Sequence, residues 1–300
     1  ATAGPNHEAF GSMKPRRDAM SSKAKIPVTV VIPVRNEERN LPKCLAGLSR
    51  FAEVIVADSG SSDHTQEIAR QAGARVIEFR WNGQYPKKRN WVLLNEKLEN
   101  EWVLFLDADE FVDDRFCDEL KTAISSGDHA GYWLTYANHF RGRRLKYGVP
   151  QRKLALFKVK SGLYERIEED MWSDLDMEVH EHPVITGTIG SIRSPIEHND
   201  GSGLSAFIER HRKYAMWEAR RALKVESAKD EVWNSFTFRQ RMKYRNLASW
   251  WFPWCYFFYT YVVRLGFLDG GAGFSYAFYK LWYFETVRQL SLEGRSNVAE

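Results

Sequence analysis

Two carboxylates one residue apart, Asp107 and Asp109, follow an apolar segment of the chain. Residues 102–106 are all apolar, which is typical of a strand buried on both faces. Side chains that follow such a strand point into the crevice at the carboxyl end of an α/β sheet. Two adjacent carboxylates repel each other unless a cation joins them, so the pair predicts a Mg²⁺ or Mn²⁺ site completed by substrate phosphates. A solvated acidic turn is the alternative for an isolated Asp-x-Asp.

Strand patterns alternate with helical patterns in the first half of the chain. The predicted strands are residues 27–33, 53–57, 74–79 and 102–106, and the predicted helices are residues 40–50, a helix capped by Ser62 or Asp63 and closed by Gly73, and residues 88–98. This alternation predicts an α/β fold with a mostly parallel, nucleotide-binding type of sheet. Further strands are expected at 132–136 and 154–159, with a basic loop at 139–152 between them.

Composition divides the chain into three parts. Residues 1–25 resemble a flexible N-terminal tail, residues 26–200 form the α/β domain that carries the candidate site residues, and residues 201–300 form a helical region that begins after a turn at 200–203. The net charge of +4 is too small to indicate a nucleic-acid partner. Three widely spaced cysteines, Cys44, Cys117 and Cys255, form no disulfide or zinc pattern, which favours a reducing, cytoplasmic compartment.

The C-terminal third is first basic and then aromatic. Residues 205–246 carry eleven Lys or Arg against five Asp or Glu, and residues 247–263 carry no charge. Pro253 interrupts this uncharged segment, which is shorter than the roughly 20 residues of a spanning helix. The pattern predicts helices that lie in the membrane interface. Packing against the catalytic domain, or a dimer interface, is the alternative.

Polar residues also follow the first two predicted strands. Pro33, Arg35 and Glu37 end the first strand, and Asp58 ends the second, followed closely by Gly60. The carboxyl ends of neighbouring parallel strands meet at one crevice, so these groups are candidates for binding a base or a ribose. The alternative for Asp58 is to cap the next helix.

Four motifs now stand in order: Ile-Pro-Val-Arg-Asn-Glu-Glu (32–38), Val-Ala-Asp-Ser-Gly-Ser-Ser-Asp-His-Thr (56–65), Lys-Lys-Arg-Asn (87–90) and Leu-Asp-Ala-Asp-Glu (106–110). Together they resemble the family 2 glycosyltransferases with the GT-A fold, over residues 25–198. Val-His-Glu (179–181), Ile-Glu-His (196–198) and the aromatic C-terminus resemble a bacterial subgroup that builds lipopolysaccharide core and other surface glycans such as exopolysaccharide.

This resemblance implies roles for individual residues. Pro33, Arg35, Glu37 and Asp58 would hold the nucleobase and ribose of a UDP-sugar, although Ser59 stands where many members have a second Asp. Arg89 would approach the diphosphate, with an exposed helix-face charge as the alternative. The resemblance also implies that Asp107 touches the ribose or sugar, that Asp109 coordinates Mn²⁺ or Mg²⁺, with Asp107 beside it, and that His198 reaches the metal or diphosphate.

The chemistry also requires a base for the acceptor hydroxyl, on a later element than the metal site. Glu181 is the first candidate, with Asp176 and Glu178 behind it; the alternative is that Glu181 pairs with Arg152 or Lys153. The basic loop is expected to clasp acceptor phosphate, or to close over the donor, through three arginines: Arg141, Arg143 and Arg144.

The sequence therefore predicts an inverting, metal-assisted transferase that moves a sugar from a UDP-sugar to a hydroxyl of a lipid-linked or lipopolysaccharide-type glycan. Its predicted place is the cytoplasm, peripherally on the inner face of the cell membrane. One alternative is a phosphatase that uses Asp107 and Asp109 as a nucleophile pair, although Phe111 stands where that class has Thr or Val. Another is a membrane-surface binder without catalysis.

Overall fold

The computed structural model describes residues 24–166, 175–176, 183–227, 233 and 236–299. The strands in these residues are β1 (Ile26–Val34), β2 (Phe51–Asp58), β3 (Arg75–Glu78), β4 (Trp102–Phe105), β5 (Glu110–Phe111), β6 (Gly131–Phe140), β7 (Arg143–Arg144), β8 (Arg152–Lys158), β9 (Gly162–Tyr164), β10 (Pro183–Ile185) and β11 (Ile189–His198). The α-helices are α1 (Leu41–Ala46), α2 (Thr65–Gln71), α3 (Lys88–Asn95), α4 (Asp114–Ser126), α5 (Gly203–Ser227), α6 (Phe238–Asn246), α7 (Phe252–Phe258) and α8 (Gly270–Ala299). A π-helical turn (Tyr259–Val263) and a 3-10 turn (Gly266–Asp269) connect α7 to α8.

One sheet organises the first two thirds of the chain. Its strand order is β3-β2-β1-β4-β8-β6-β11-β5, with β7 paired to β6. The four strands β3, β2, β1 and β4 run parallel, β8 is antiparallel to both of its neighbours, and β11 is parallel to β6. The parallel strands therefore place the ends of β1, β2 and β4 at the same edge of the sheet. The predicted fold class, an α/β sheet followed by a helical, aromatic-rich region, is confirmed.

The core explains why these strands form. Val30, Val31 and Ile32 of β1 are fully buried, and so are Leu104 and Phe105 of β4. Apolar side chains on both faces fit a parallel sheet covered on both sides. The predicted apolar runs therefore coincide with the central strands.

Several predicted boundaries are wrong. The first helix ends at Ala46 instead of residue 50, and α3 ends at Asn95 instead of residue 98. The N-cap of α2 is His64 instead of Ser62 or Asp63. The Ser62 N–H and hydroxyl both donate to Asn36, and the Asp63 carboxylate accepts from the N–H and hydroxyl of Thr65, the first residue of α2. Strand β6 continues to Phe140, so β6 and β7 occupy the start of the predicted basic loop.

The C-terminal third is helical, as predicted. Helix α5 begins at Gly203, and α5, α6 and α8 share a small core that includes Ala215, Leu247 and Val287. None of the helices in the described residues is both long enough and apolar enough to cross a membrane. The three cysteines are free thiols. The division of the chain into a tail, a catalytic domain and a helical region stays a prediction.

Candidate active site

The Asp-x-Asp segment forms the loop between β4 and β5. Its first carboxylate, Asp107, lies 2.7 Å from a guanidinium nitrogen of Arg89 and 2.7 Å from Nζ of Lys153. Burial alone would raise the pKa of Asp107, but Lys153 and Arg89 outweigh burial and hold that pKa far below its usual range. Asp107 is therefore a carboxylate neutralised by two cations that arrive from α3 and β8.

The position of Arg89 excludes one of its two predicted roles. Its side chain is buried, in the first turn of α3, and its guanidinium lies 5.3 Å from the ring centre of Tyr164. The alternative of an exposed helix-face charge is therefore wrong. Arg89 faces Asp107 instead, and its predicted approach to a diphosphate stays a prediction.

Asp109 and His198 are brought together, although they are far apart in the sequence. Nε2 of His198 lies 3.3 Å from a carboxylate oxygen of Asp109, and Nδ1 of His198 lies 3.0 Å from the side-chain oxygen of Asn138. Burial would lower the pKa of His198, but the hydrogen bond and charge of Asp109 raise it. Strand β11 positions this imidazole because His198 pairs with Glu110 of β5.

The donor groups at this position fit a divalent cation. Mg²⁺ in nucleotide sites is held by one or two carboxylates, with substrate phosphates and water as the other ligands. Asp109 offers the carboxylate and His198 an adjacent imidazole, while Asp107 is held by cations. No cluster of three or more His, Cys, Asp or Glu residues suited to a metal occurs among the described residues. The predicted metal-binding roles of Asp109, Asp107 and His198 stay predictions.

Glu110 and Lys153 are site residues that the sequence did not indicate as such. The Glu110 carboxylate accepts hydrogen bonds from the Asp107 backbone N–H at 2.9 Å and from the Tyr136 hydroxyl at 3.2 Å, and lies 3.2 Å from Nζ of Lys153. Burial raises the pKa of Glu110 to about 7, against the effect of Lys153. Glu110 and Lys153 thus form a buried support beneath Asp107.

The predicted nucleobase end of the site lies in the loops after β1 and β2. Asp58 is fully buried, and its carboxylate accepts from the backbone N–H groups of Gly60 (3.1 Å) and Ser61 (3.0 Å) and from Nε2 of Gln66 (2.6 Å). The Ser61 hydroxyl also donates to it. The carboxylate of Asp58 therefore organises its own loop in this structure. Its predicted contact with the base stays a prediction.

The other predicted nucleobase residues line the same edge. Pro33 is buried and pairs with Ala57 of β2, whereas Arg35 is exposed. Burial raises the pKa of Glu37, a hydrogen bond from Asn40 opposes this, and the charge of Asp109 adds to it. Glu37 therefore lies near the Asp-x-Asp loop.

Of the three predicted catalytic carboxylates, only Asp176 lies within the described residues; Glu178 and Glu181 lie outside them. One carboxylate oxygen of Asp176 lies 3.2 Å from Nζ of Lys88, which also donates to the carbonyl oxygen of Val34 at 3.0 Å. Burial lowers the pKa of Lys88, and Asp176 opposes that shift. Asp176 is thereby held beside the end of β1.

The basic loop is a hairpin that packs on the C-terminal helices. Arg141 (φ 52°) and Gly142 (φ 73°) form its two-residue turn, a conformation that matches the twist of paired strands. Arg144 lies 3.3 Å from Glu197, and Arg141 donates to Ser275 at 3.4 Å. Arg143 is exposed. The role of these arginines toward an acceptor stays a prediction.

Helix α5 forms part of the site wall, which the sequence did not indicate. Tyr214 indicates this position of α5. Burial raises the pKa of Tyr214 to about 12; the charge of Arg210 opposes the rise, and the charges of Asp107 and Asp109 add to it. Arg210 pairs with Asp200 at the start of the helical region. The spacing of four residues between Arg210 and Tyr214 on one helix is the only sequence signal for this wall.

Comparison with known protein families identifies the family of this chain. Residues 29–182, just over half of the chain, match the model of glycosyl transferase family 2. The chain belongs to this family. Membership of the family 2 glycosyltransferases makes the phosphatase alternative wrong. The predicted GT-A fold class and the enzyme class are confirmed.

Bacterial glycosyltransferases are among the relatives of this chain. It is 25% identical over 287 residues to an uncharacterized glycosyltransferase of Rickettsia typhi, covering 91% of this chain and 90% of the relative. It is 29% identical over 181 residues to the lipopolysaccharide core biosynthesis glycosyltransferase LpsC of Rhizobium meliloti, covering 57% and 62%.

Among solved structures, residues 1–349 of TarS from S. aureus are 15% identical, with 91% of this chain and 92% of that chain covered and a TM-score of 0.45. Glucosyl-3-phosphoglycerate synthase of Mycobacterium tuberculosis, in complex with Mn²⁺, UDP and glucosyl-3-phosphoglycerate, is 24% identical, with 37% and 44% covered and a TM-score of 0.30. The family assignment depends on the sequence match and not on these distant likenesses.

Proposed function

We propose that this family 2 glycosyltransferase moves a sugar from a UDP-sugar to a hydroxyl of a lipid-linked or lipopolysaccharide-type glycan, with a divalent metal and with inversion at the anomeric carbon. The observation that carries the proposal is the Asp107–Asp109 loop, where the buried Arg89 and the partly buried Lys153 hold Asp107 and where Asp109 pairs with His198. This arrangement suits a doubly charged leaving group.

The protein's own charges account for donor binding. Arg89 and Lys153 neutralise Asp107 in the absence of ligand, so an arriving diphosphate finds two cations already oriented. Asp109 and His198 would hold the metal, which supplies charge stabilisation for the departing nucleoside diphosphate when it is bound. The loops that carry Pro33, Arg35, Glu37 and Asp58 would bind the nucleobase and ribose. Asp107 would lie closest to the ribose or the sugar.

The transfer itself exchanges one bond for another. The acceptor oxygen forms a bond to the anomeric carbon as the bond to the diphosphate oxygen breaks, and the hydroxyl proton passes to a carboxylate. We propose Glu181 as that base, with Asp176 and Glu178 as the other candidates. Attack from the face opposite the diphosphate produces the inversion.

The acceptor proposal has two supports. The relative LpsC is named for lipopolysaccharide core biosynthesis. The hairpin that carries Arg141, Arg143 and Arg144 offers cations for acceptor phosphate, two of them exposed on one short strand. A lipid-linked acceptor would be met by peripheral contact at the inner face of the membrane.

A UDP-release assay tests this function. The protein would be incubated with a panel of UDP-sugars, Mn²⁺, and a truncated lipopolysaccharide acceptor, and the anomeric proton of the product would be read by NMR. We expect acceptor-dependent UDP release and an inverted anomer. The exposed-acid variant Asp128→Asn is the control and should keep full activity. A retained anomer, or release that ignores the acceptor, would contradict the proposal.

A further inference from the structure

The chain between residues 236 and 284 combines aromatic residues with an unusual charge balance. It carries six Lys or Arg and a single acid, Asp269. Basic and aromatic residues together are typical of helices that lie on an anionic membrane surface. Since exposure decides whether such residues can touch a bilayer, the side chains that α6, α7 and α8 leave in solvent carry the argument.

Helix α7 and the π-helical turn after it present one apolar face to solvent. Trp250, Trp254, Phe258 and Val262 recur at intervals of four residues and are exposed by 72%, 60%, 58% and 40%. Side chains separated by four residues lie on the same side of a helix. Thr260, on the opposite side, is buried. The helix therefore turns its aromatic side outward.

The first turns of α8 extend this surface. Phe274 contacts the rings of Phe257 and Tyr261, with centroids 6.2 and 5.7 Å apart, and stacks on Phe278 at 6.3 Å. Phe274 and Phe278 are 48% and 49% exposed. We call the combined surface the aromatic face, and define it by six residues: Trp250, Trp254, Phe258, Val262, Phe274 and Phe278. Contiguous apolar surface of this kind marks an interaction site more often than scattered exposed residues do.

Cations lie beside the aromatic face. Helix α6 packs close to α7, since Tyr244 and Phe252 belong to one hydrophobic cluster. Arg239, Arg241 and Arg245 of α6 are all exposed. We propose that the aromatic face and these arginines form a docking surface for an anionic lipid bilayer, with the rings at headgroup level and the guanidinium groups on lipid phosphates.

Charge complementarity selects this occupant over a second copy of the chain. Two copies meeting through the aromatic face would bring two arginine-rich helices together, and like charges across an interface disfavour association. An anionic bilayer accepts the same charges favourably. Trp and Tyr side chains are also enriched at membrane–water interfaces.

The docking surface is attached to the active site. The Asp269 carboxylate, at the edge of the aromatic face, accepts the backbone N–H groups of Lys146 (3.0 Å) and Tyr147 (2.9 Å), and the Gly148 N–H donates to the Arg264 carbonyl at 2.9 Å. The same loop continues into β8 and Lys153. Docking would therefore fix how the crevice faces the bilayer. In this respect the inference rests on the proposed function and names its partner surface.

Vesicle flotation tests the inference without sugar transfer. The full chain would be mixed with vesicles of phosphatidylcholine alone, or with phosphatidylglycerol added, at low and high salt. Two face variants are compared: Trp250→Ser/Trp254→Ser/Phe258→Ser, and Arg239→Gln/Arg241→Gln/Arg245→Gln. The matched control is Leu94→Ser/Val184→Ser, which removes apolar side chains that are 52% and 65% exposed on the catalytic part.

We expect the unchanged protein to bind only the anionic vesicles, and less at high salt. The arginine variant should lose roughly a hundredfold in binding, and the aromatic variant at least about tenfold, whereas the control binds normally. Melting-point shifts with UDP should be the same in all four proteins, which shows that they are folded.

Three results would overturn the inference: no binding of the unchanged protein to anionic vesicles, equal binding by the face variants and the control, or a dimer that the aromatic variant dissociates while vesicle binding is absent. If instead UDP binds none of the proteins but vesicle binding follows the expected order, the proposed function fails and the docking surface stands.

Discussion

Two acidic loops lie on either side of the end of β1, and their carboxylates bind different kinds of partner. After β2, Asp58 is held by Gly60, Ser61 and Gln66, neutral donors within eight residues of it. After β4, Asp107 is held by two cations, Arg89 and Lys153, from distant parts of the chain. Both carboxylates follow a parallel strand, so the position of an acid at a strand end does not by itself define its role.

The two loops differ in how a charged ligand could affect the groups around each carboxylate. Neutral donors around Asp58 satisfy a turn that is complete without any ligand. The cations around Asp107 can attract a diphosphate into the same crevice, and the low dielectric of a buried site strengthens such interactions. We therefore expect binding of the diphosphate and catalysis to depend on the second loop, whereas the Asp58 carboxylate acts on the nucleobase end of the site mainly by holding the first loop in shape.

The largest effect is expected for Asp109→Asn. This change keeps the side-chain shape but removes the charge that would hold the metal beside His198. We expect kcat/KM for sugar transfer to fall by roughly a thousandfold, with little change in melting temperature. Steady-state kinetics with Mn²⁺ measure it. Nearly normal activity would contradict the proposed dependence of catalysis on the second loop.

The second-largest effect is expected for Lys153→Met. It removes one of the two cations on Asp107 while Arg89 remains, so donor binding should weaken by roughly ten- to a hundredfold. Titration with UDP and Mn²⁺ measures it by calorimetry. Lys158→Met is the control on the same strand, because Lys158 pairs with the largely exposed Glu101 and lies over the ring of Trp102. Equal loss in both variants would contradict the role of Lys153.

Asp58→Asn should act mainly on stability. The amide oxygen can take the place of Oδ2 and keep the donors from Gly60, Ser61 and Gln66. Its NH₂ group then faces the Ser61 hydroxyl, which donates to Oδ1 in the unchanged protein. We expect the free energy of unfolding to fall by about 1–2 kcal/mol, measured by urea denaturation. Preference for UDP over CDP should persist if Asp58 acts through its loop. Loss of that preference would instead show a direct base contact.

The smallest effect concerns Glu119, a carboxylate that also accepts only neutral donors. Its oxygens take the backbone N–H groups of Arg193 (2.8 Å) and Ser194 (2.7 Å), where the pairing of β11 with β6 is irregular. Burial alone would raise the pKa of Glu119, but these hydrogen bonds lower it overall. The stability that it contributes is therefore present above the unfolded value of about 4.5 and is lost as pH falls through the folded pKa.

Because Glu119 is partly exposed, we expect Glu119→Gln to cost only about 0.5 kcal/mol at neutral pH. The difference from the unchanged protein should shrink at an acidic pH below about 4.5, because Glu119 becomes protonated as the pH falls through its lowered folded pKa. Unfolding curves at the two pH values measure it. A difference that grows as the pH falls would have the wrong sign for this account.

The central strands and the acidic loop were predictable because local patterns determine them. Continuous apolar runs define β1 and β4, and Asp107 and Asp109 follow such a run directly. The contacts of Asp107 were not predictable. Lys153 reaches it only because β8 inserts antiparallel between β4 and β6, 46 residues along the chain, and no spacing rule encodes that insertion.

Strand β11 was missed for a related reason. Within it only Ile192 and Ile196 are buried, and Pro195 with several small polar residues hides the alternation that marks a strand. The burial of Arg89 could not be predicted either, because a charged residue in a helix is usually solvated. Its burial depends on Asp107 and Tyr164, which only the fold brings near.

The most direct test of the account is the melting temperature of the protein and of Asp109→Asn with UDP, GDP or CDP, in Mn²⁺ or in EDTA. Ligands that bind the folded state raise the melting temperature by mass action. We predict a rise with UDP and Mn²⁺ in the unchanged protein, no rise in EDTA, and no metal-dependent rise in the variant. Folded protein that no nucleotide stabilises in either condition would contradict the account.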